Sequence, residues 1–209
     1  MFGGSKIDRG IAAFEKRDWK RARRLLEEGL QDEDRPGGFY HLGQLYWRGL
    51  GGPVEKEAAV NCFARAADMG HVGAEVAYGV ALRSGVGVGK DDDRAYSLFR
   101  SAAGAGDRDA MIQLATMSDP DDARRWLTRA CELGHAPAML HLSDMLMSRD
   151  PVEALSWLYT GVALSGDDAA RDRAKALARE MSAAEIDAAQ KAGRAYAKDI
   201  QQRLREGRP

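Results

Sequence analysis

Apolar residues recur at intervals of three and four positions along most of this chain, the spacing of one face of an α-helix. In one stretch they stand at Ala59, Cys62, Phe63, Ala66 and Ala67. The same face returns twice, over residues 95–103 and 123–131. The pattern therefore predicts an all-α protein built from amphipathic helices.

Two series of residues repeat along the chain in step with each other. One is a glycine that closes four similar segments, at spacings of 36, 28 and 32 residues: Gly70, Gly106, Gly134 and Gly166. The other is a large apolar residue followed by a small one: Leu42-Gly43, Tyr78-Gly79, Leu114-Ala115 and Leu142-Ser143. Two such series with a period between 28 and 36 residues indicate an array of two-helix units.

Each unit is interpreted as a helix A followed by a helix B. The small residue of helix A lets helix B of the same unit come close, which must offset the cost of a mid-helix glycine, about 1 kcal/mol. The closing glycine is typical of the position just after a helix C-terminus. Asp93, and either Asp121 or Asp122, are candidates for the residue that caps the N-terminus of helix B.

The first two units share a longer pattern. The first carries Leu42-Gly43-x-x-Tyr46-x-x-Gly49-x-Gly51-x-Pro53, then Ala59, Phe63, Ala66-Ala67 and Gly70-His71. The second repeats it with Gly79, Gly85-Val86-Gly87-Val88, Ala95, Phe99 and Ala102-Ala103. This pattern resembles consecutive Sel-1-like repeats, relatives of the tetratricopeptide repeat. The resemblance implies a bacterial protein with a right-handed α-solenoid of stacked antiparallel helix pairs, an α/α superhelix.

We expect a single solenoid domain over residues 1–209. Its four Sel-1-like repeats are predicted at residues 37–72, 73–108, 109–136 and 137–167, and the last two lack the glycine-rich loop between helices A and B. Residues 1–36 are predicted to form an N-terminal helix pair that resembles a degenerate tetratricopeptide unit, with Asp18 as an N-cap. Residues 168–209 are predicted to be capping helices, and Ser182 to Glu185 form a capping box.

Charge and cysteine content narrow the classes of partner and compartment. The 31 Lys and Arg residues nearly balance 32 Asp and Glu residues, a net charge of −1, so no broad basic surface for nucleic acid is predicted. No apolar segment is long enough for a secretory signal or a membrane span.

Cys62 and Cys131 stand far apart without a CxxC pair, which indicates reduced thiols in a cytoplasmic protein. Arg21, Arg23 and Arg24 form a local basic cluster, interpreted as a solvated face.

Candidate catalytic motifs are weak. The segment from Gly85 to Asp91 superficially resembles a phosphate-binding loop, but Ser84 and Asp91 occupy positions where that motif needs glycine and Ser or Thr. We interpret it as the turn between helices A and B. Both cysteines fall on apolar stripes and are predicted to be buried thiols. We expect no cofactor, no metal site and no catalytic residues, and we expect that the protein is not an enzyme.

The remaining candidate is a binding surface. By analogy with tetratricopeptide arrays, helices A line the concave side, and the positions beside the small residue face inward. These partner-binding candidates are His41, Gln44, Trp47, Arg48, Val80, Arg83, Gln113, Thr116, His141, Asp144 and Met147. Trp47 and Arg48 are the strongest, because Trp and Arg are frequent interface anchors. The alternative is that Trp47 simply covers the core of the next unit.

The resulting hypothesis is a cytoplasmic protein–protein adaptor with a regulatory, assembly or immunity-type role, which binds a partner protein or peptide in the concave helix-A groove. The rival hypothesis is an enzyme or small-molecule-binding protein with a polar site in the same groove, built on residues such as His41 or Asp144. An adaptor predicts an open groove of apolar and polar residues. An enzyme predicts a closed pocket with convergent titratable groups.

Overall fold

A computed structural model describes residues 4–207, so the first three and last two residues of the predicted domain lie outside the described part. Between residues 4 and 207 the chain forms twelve α-helices and no strand, which confirms the predicted all-α class of helix pairs. The helices fall into two compact parts, Met1–Asp107 and Arg108–Pro209. From here on we call these parts the first unit and the second unit, and we call each predicted two-helix element a repeat. Whether they form a single solenoid domain stays a prediction.

The first unit contains three helix pairs. Each helix packs against its successor within the pair, and α3 also contacts both helices of the first pair. The helices are α1 (Lys6–Glu15), α2 (Trp19–Gly29), α3 (Pro36–Arg48), α4 (Lys56–Asp68), α5 (Val72–Ser84) and α6 (Asp92–Gly104). Helices α3 and α5 are thus helices A of the first two predicted repeats, and α4 and α6 are their helices B.

The small residue of helix A allows the close helix contact that the sequence predicts. A Cβ atom added to Gly43 would stand 2.6 Å from Phe63 Cε1, and one added to Gly79 would stand 2.7 Å from Phe99 Cε1. Both phenylalanine side chains are buried. The ring of helix B therefore rests directly on the backbone of helix A in both repeats, which explains why the position is glycine.

Helix ends follow the predicted glycines but not all of the predicted N-caps. The four closing glycines (70, 106, 134 and 166) have φ between +68° and +91°, a conformation that favours glycine. The N-cap predicted at Asp93 is wrong, because Asp91 caps α6 by accepting a hydrogen bond from Arg94 N at 2.9 Å. The segment from Gly85 to Asp91 is the turn between α5 and α6, as predicted.

The second unit contains two helix pairs followed by two further helices. These are α7 (Arg108–Ala115), α8 (Pro120–Glu132), α9 (Ala136–Leu146), α10 (Pro151–Ser165), α11 (Asp168–Ala178) and α12 (Ala183–Arg205). Asp119, rather than the predicted Asp121 or Asp122, caps α8, because its carboxylate accepts from the backbone N–H groups of both residues at 3.0 Å. Helices α11 and α12 both pack on α10. The predicted capping box at Ser182 and Glu185 is confirmed.

The N-terminal pair confirms one local prediction and corrects another. Asp18 caps α2 as predicted, by accepting a hydrogen bond from Arg21 N. The interpretation of Arg23 as part of a solvated face is wrong, since only 12% of its side chain is exposed. Its guanidinium binds Glu27 and Glu55 and stacks over the Tyr46 ring at 4.5 Å. Arg23 thereby fastens α2 to the first repeat.

Candidate interaction groove

A groove of about 250 Å³ lies in the first unit between the helices A of the first two repeats. Helix α3 forms one wall, α5 forms the other, and one ring of α4 reaches the floor. The lining residues are Tyr40, Gln44, Trp47, Arg48, Phe63, Gly73, Val76, Ala77 and Val80. They recur at helical spacing on α3 and α5, so one face of each helix contributes the whole wall. We call this surface the α3–α5 groove.

Trp47 is held in place at the floor of the groove. Lys56 at the start of α4 donates a hydrogen bond from Nζ to the carbonyl oxygen of Trp47 at 2.7 Å. The same Nζ lies 3.9 Å from the centroid of the Trp47 ring, a cation–π contact. Phe63 packs beside it, with 6.2 Å between ring centroids. These contacts fix the indole while leaving it half-buried.

The opposite end of the groove is shaped by Tyr40. Its ring stacks on His71 with 4.4 Å between centroids. A Cβ atom on Gly73 would stand 3.2 Å from Tyr40 Cζ, so glycine leaves room for the tyrosine ring. His71 caps α5 through Nδ1, which accepts from Ala74 N at 3.2 Å, and burial lowers its pKa. The imidazole is therefore a neutral structural support beneath Tyr40.

Four of the six residues predicted in the first unit line this groove: Gln44, Trp47, Arg48 and Val80. Arg48 is exposed and forms no ion pair within residues 4–207. Val80 is 37% exposed, an open apolar position on the facing helix. Arg83 is half-buried at the end of α5 and does not line the groove. The structure thus brings together the two strongest candidates, Trp47 and Arg48, with an apolar wall.

His41 faces away from the groove. Its ring lies against Phe14 of α1, with 4.6 Å between centroids, and Nδ1 is buried without a hydrogen-bond partner in the described part of the chain. Burial lowers its pKa. The N-terminal helix pair therefore covers the position that the repeat pattern alone predicts to face a partner.

The five residues predicted in the second unit lie on α7 and α9 or directly after them. Gln113 is on α7 and Thr116 follows it, while His141 and Asp144 are on α9 and Met147 is its C-cap. Thr116 donates a hydrogen bond to the carbonyl oxygen of Gln113 at 2.7 Å, which closes the end of α7. Asp144 forms an ion pair with Arg173 of α11 at 2.6 Å. His141 and Met147 are exposed. Part of this set therefore has a structural role inside the second unit, and its partner-binding role stays a prediction.

Sequence reasoning missed five lining residues of the groove, namely Tyr40, Phe63, Gly73, Val76 and Ala77. A signal for four of them was present. Tyr40 stands one helical turn before Gln44, and residues 73, 76 and 77 stand one and two turns before Val80. Extending each face by the helical period would have found them. Phe63 belongs to the predicted buried stripe, and only its position beside Trp47 shows that its ring also forms part of the groove floor.

The remaining titratable groups of residues 4–207 form no metal site. No three His, Cys, Asp or Glu side chains there are grouped so that they could hold a metal ion. Cys62 and Cys131 are free and buried, as the sequence predicts. Burial raises the pKa of Cys62 to about 11 and also raises the pKa of Cys131. Over the same residues, no helix has the length and apolar character needed to cross a bilayer.

Paired helices with glycine-mediated contacts and a groove between successive helices A define a helix-pair repeat protein of the α-solenoid class. The Sel1 repeat matches at residues 40–71, 73–107, 109–135 and 136–165, more than half of the chain. The chain belongs to the Sel1 repeat family, as its sequence pattern predicts. Sel1 repeat proteins are generally non-enzymatic scaffolds for protein–protein interaction. No curated protein matches the chain significantly.

Solved structures share the fold at low sequence identity. A Sel1 repeat protein from Oxalobacter formigenes has a TM-score of 0.73 and 20% identity, over 96% of this chain and 83% of that one. A protective antigen of uropathogenic Escherichia coli with an SLR fold has a TM-score of 0.75 and 20% identity, over 89% of this chain. The alignment spans only 43% of that longer protein.

A third similar structure is an immunity protein from Pseudomonas aeruginosa, with a TM-score of 0.55 and 18% identity over 97% of this chain and 87% of that one. At such identities the likeness concerns the fold alone. All three relatives come from bacteria, in keeping with the bacterial origin that the sequence resemblance implies.

Proposed function

We propose that this protein is an adaptor that binds a partner protein through the α3–α5 groove. The observation that carries the proposal is the combination of a half-buried Trp47, fixed by Lys56 and Phe63, with Arg48 at the same groove, which forms no ion pair among residues 4–207. Trp and Arg are enriched among residues that dominate binding energy, and they do so in pockets that neighbouring side chains shield from water. An ordered indole also avoids part of the entropy cost of binding.

The lining of the groove limits what the partner presents. Tyr40, Trp47 and Phe63 provide aromatic surface, and Val76 and Val80 provide the aliphatic wall. A volume of about 250 Å³ accommodates one or two apolar side chains rather than a whole cofactor. The partner segment is therefore expected to insert an apolar anchor, with a carboxylate placed nearby to pair with the guanidinium of Arg48.

The test compares partner capture by the wild-type protein and a groove variant. Arg48→Glu with Val80→Glu changes two exposed positions and leaves the Trp47 packing intact, so the fold should persist. Tagged protein is incubated with lysate of the source organism, and bound proteins are identified by mass spectrometry. We expect a stoichiometric partner that is lost with the groove variant and weakened by Trp47→Ala.

The matched control is Arg100→Glu, an exposed charge reversal on α6 of the same unit that does not touch the groove. The control should retain the partner at the wild-type level. Circular dichroism melts of all variants must agree within a few degrees. A partner that survives Arg48→Glu with Val80→Glu, or that is lost equally with Arg100→Glu, contradicts the groove as the binding site.

The rival hypothesis, an enzyme or small-molecule site in the same groove, has less support. Gln44 and Arg48 supply the polar side chains of the lining, while His41 packs against α1 and Asp144 pairs with Arg173. A catalytic site is expected to bring several titratable groups together in a closed pocket. The groove instead offers an aromatic floor and one free cation among the described residues, which suits a protein segment.

The proposal extends to the compartment and role. Two free buried cysteines suit a reducing compartment, so we place the adaptor in the cytoplasm. A regulatory, assembly or immunity-type role is compatible with a groove that one cognate partner fills, and the shared fold with an immunity protein motivates the last of these. Fractionation of cells followed by blotting for the tagged protein tests the compartment.

A further inference from the structure

A second concave surface lies in the second unit, between α10 and α11. It encloses about 410 Å³ and is lined by Tyr159, Val162, Arg171, Ala174, Lys175, Ala178 and Arg179. Tyr159 and Val162 come from α10, and the other residues form one face of α11 and its C-terminal cap. The cleft thus has an apolar floor and a rim of three cationic side chains. None of its residues belongs to the α3–α5 groove.

The three cations stand in a row along α11. Arg171, Lys175 and Arg179 are separated by four residues each, one helical turn, and so repeat along the same face over about 12 Å. The small side chains of Ala174 and Ala178 stand between them and keep the cleft open. A periodic row of this length matches several negative charges at the same spacing better than one anionic headgroup.

The existing partners of these cations are weak enough to be exchanged. Arg171 pairs with Asp168 and donates a hydrogen bond to the carbonyl oxygen of Gly166 at 3.3 Å, and Lys175 pairs with Asp172 at 3.2 Å. Both ion pairs are exposed and lie within α11. Such surface pairs contribute about 0–1 kcal/mol. Arg179 is exposed and has no ion pair within the described residues. Carboxylates of a bound partner that lie over the apolar floor, partly shielded from water, can therefore compete for these cations.

We propose that the α10–α11 cleft binds an acidic amphipathic helix of a partner protein. The apolar residues of that helix enter the cleft over Val162, Ala174 and Ala178, and its glutamate or aspartate side chains, one per turn, pair with Arg171, Lys175 and Arg179. An apolar helix face in an apolar groove gains from burial, and the charged row fixes the register and direction of the helix. This surface is separate from the proposed function and does not depend on it.

The test uses two synthetic helical peptides and the full chain. One peptide carries a leucine stripe flanked by glutamates, and the other has every glutamate replaced by lysine. Binding is measured by fluorescence anisotropy at low and physiological salt. We expect the glutamate peptide to bind roughly tenfold more tightly than the lysine peptide, and we expect this difference to shrink as salt is raised.

Variants assign the binding to the cleft. Arg171→Glu, Lys175→Glu and Arg179→Glu together should weaken the glutamate peptide roughly tenfold and favour the lysine peptide instead. Ala178→Trp should block both peptides by filling the cleft without a change of charge. The matched control reverses three exposed cations on α12, as Lys191→Glu, Arg194→Glu and Lys198→Glu, and should bind like the wild type.

Three results would overturn the proposal. The first is equal binding of the two peptides by wild-type protein. The second is an equal loss of binding in the α11 and α12 variants, which would show a non-specific charge effect. The third is binding of dodecanoate, but not of the glutamate peptide, with dependence on the α11 cations, which would show that the cleft takes a small anionic amphiphile.

Discussion

Gly43 tests whether helices A and B of one repeat owe their close approach to the missing side chain. In Gly43→Ala, the new Cβ stands 2.6 Å and 2.7 Å from Phe63 Cε1 and Cδ1, and 3.2 Å from the carbonyl oxygen of Ala59. Phe63 is only 4% exposed, and the third atom in the way, the carbonyl oxygen of Ala59, belongs to the backbone of α4. The ring cannot swing aside, so α4 must move away from α3.

The expected magnitude combines two opposing effects. Overpacking of a well-packed core costs about 1–3 kcal/mol, and a clash this short with a buried ring belongs in the upper part of that range. Alanine in place of glycine inside a helix recovers about 1 kcal/mol. We therefore expect Gly43→Ala to lower the free energy of unfolding of the first unit by about 1–2 kcal/mol.

The assay is native-state hydrogen exchange with mass spectrometry, because it reads the two compact units separately. Peptides from α3 and α4 should show the loss, and peptides from α8 should not. Gly104→Ala is the matched control: a Cβ there meets nothing within 4 Å, so the helix propensity gain should appear without a clash.

A second substitution isolates the contact itself. Phe63→Leu should cost less in the Gly43→Ala background than in the wild type, because removing the ring relieves the clash. If Gly43→Ala is as stable as the wild type, or if the two substitutions are simply additive, the explanation of the repeat's small residue is refuted.

Three further predictions concern His71, the two cysteines and Arg23. Burial lowers the pKa of His71, so the unfolded state takes up a proton more readily than the folded state does, and the free energy of unfolding should fall as pH drops from about 7.5 through the ordinary pKa of 6.5. His71→Asn keeps a capping acceptor and should reduce this pH dependence in urea titrations. Since burial raises the pKa of both thiols, Ellman's reagent at about pH 8 should label Cys62 and Cys131 only after denaturation, and rapid labelling of native protein would contradict their burial. Arg23→Ala should destabilise the first unit by about 1–2 kcal/mol, because it removes a largely buried side chain that bonds Glu27 and Glu55 and packs over the Tyr46 ring; an unchanged urea midpoint would show that these contacts contribute nothing.

The repeat pattern made most of the fold predictable. Leu42-Gly43 and Tyr78-Gly79 predicted where helices A and B touch, because glycine in the middle of a helix is costly and a close helix contact offsets that cost. The closing glycines predicted helix ends correctly, because a helix often ends at a residue with positive φ and glycine adopts that conformation without steric cost. N-caps were less certain, since Asp91, Asp92 and Asp93 are consecutive and any of them could begin α6. Only the backbone geometry shows that Asp91 does.

The candidate site was half predictable. Periodicity places Gln44, Trp47 and Arg48 on one side of α3, and they do line one groove. The burial of His41 was not predictable, because it depends on Phe14 in a helix pair outside the repeats. Arg23 shows the same limit: its local sequence is that of a solvated face, and its burial arises from Glu55 and Tyr46, which are distant in sequence.

Site-specific photo-crosslinking tests binding in the α3–α5 groove most directly. A benzophenone amino acid is placed at Val80, which faces the groove, or at Arg100, which lies on α6 outside it, and each protein is irradiated in lysate of the source organism. The account predicts one discrete crosslinked partner from position 80, abolished by Arg48→Glu, and none from position 100. Two results would contradict it. In one, positions 80 and 100 crosslink to the same partner in equal yield. In the other, position 80 gives no crosslink although the protein still captures a partner.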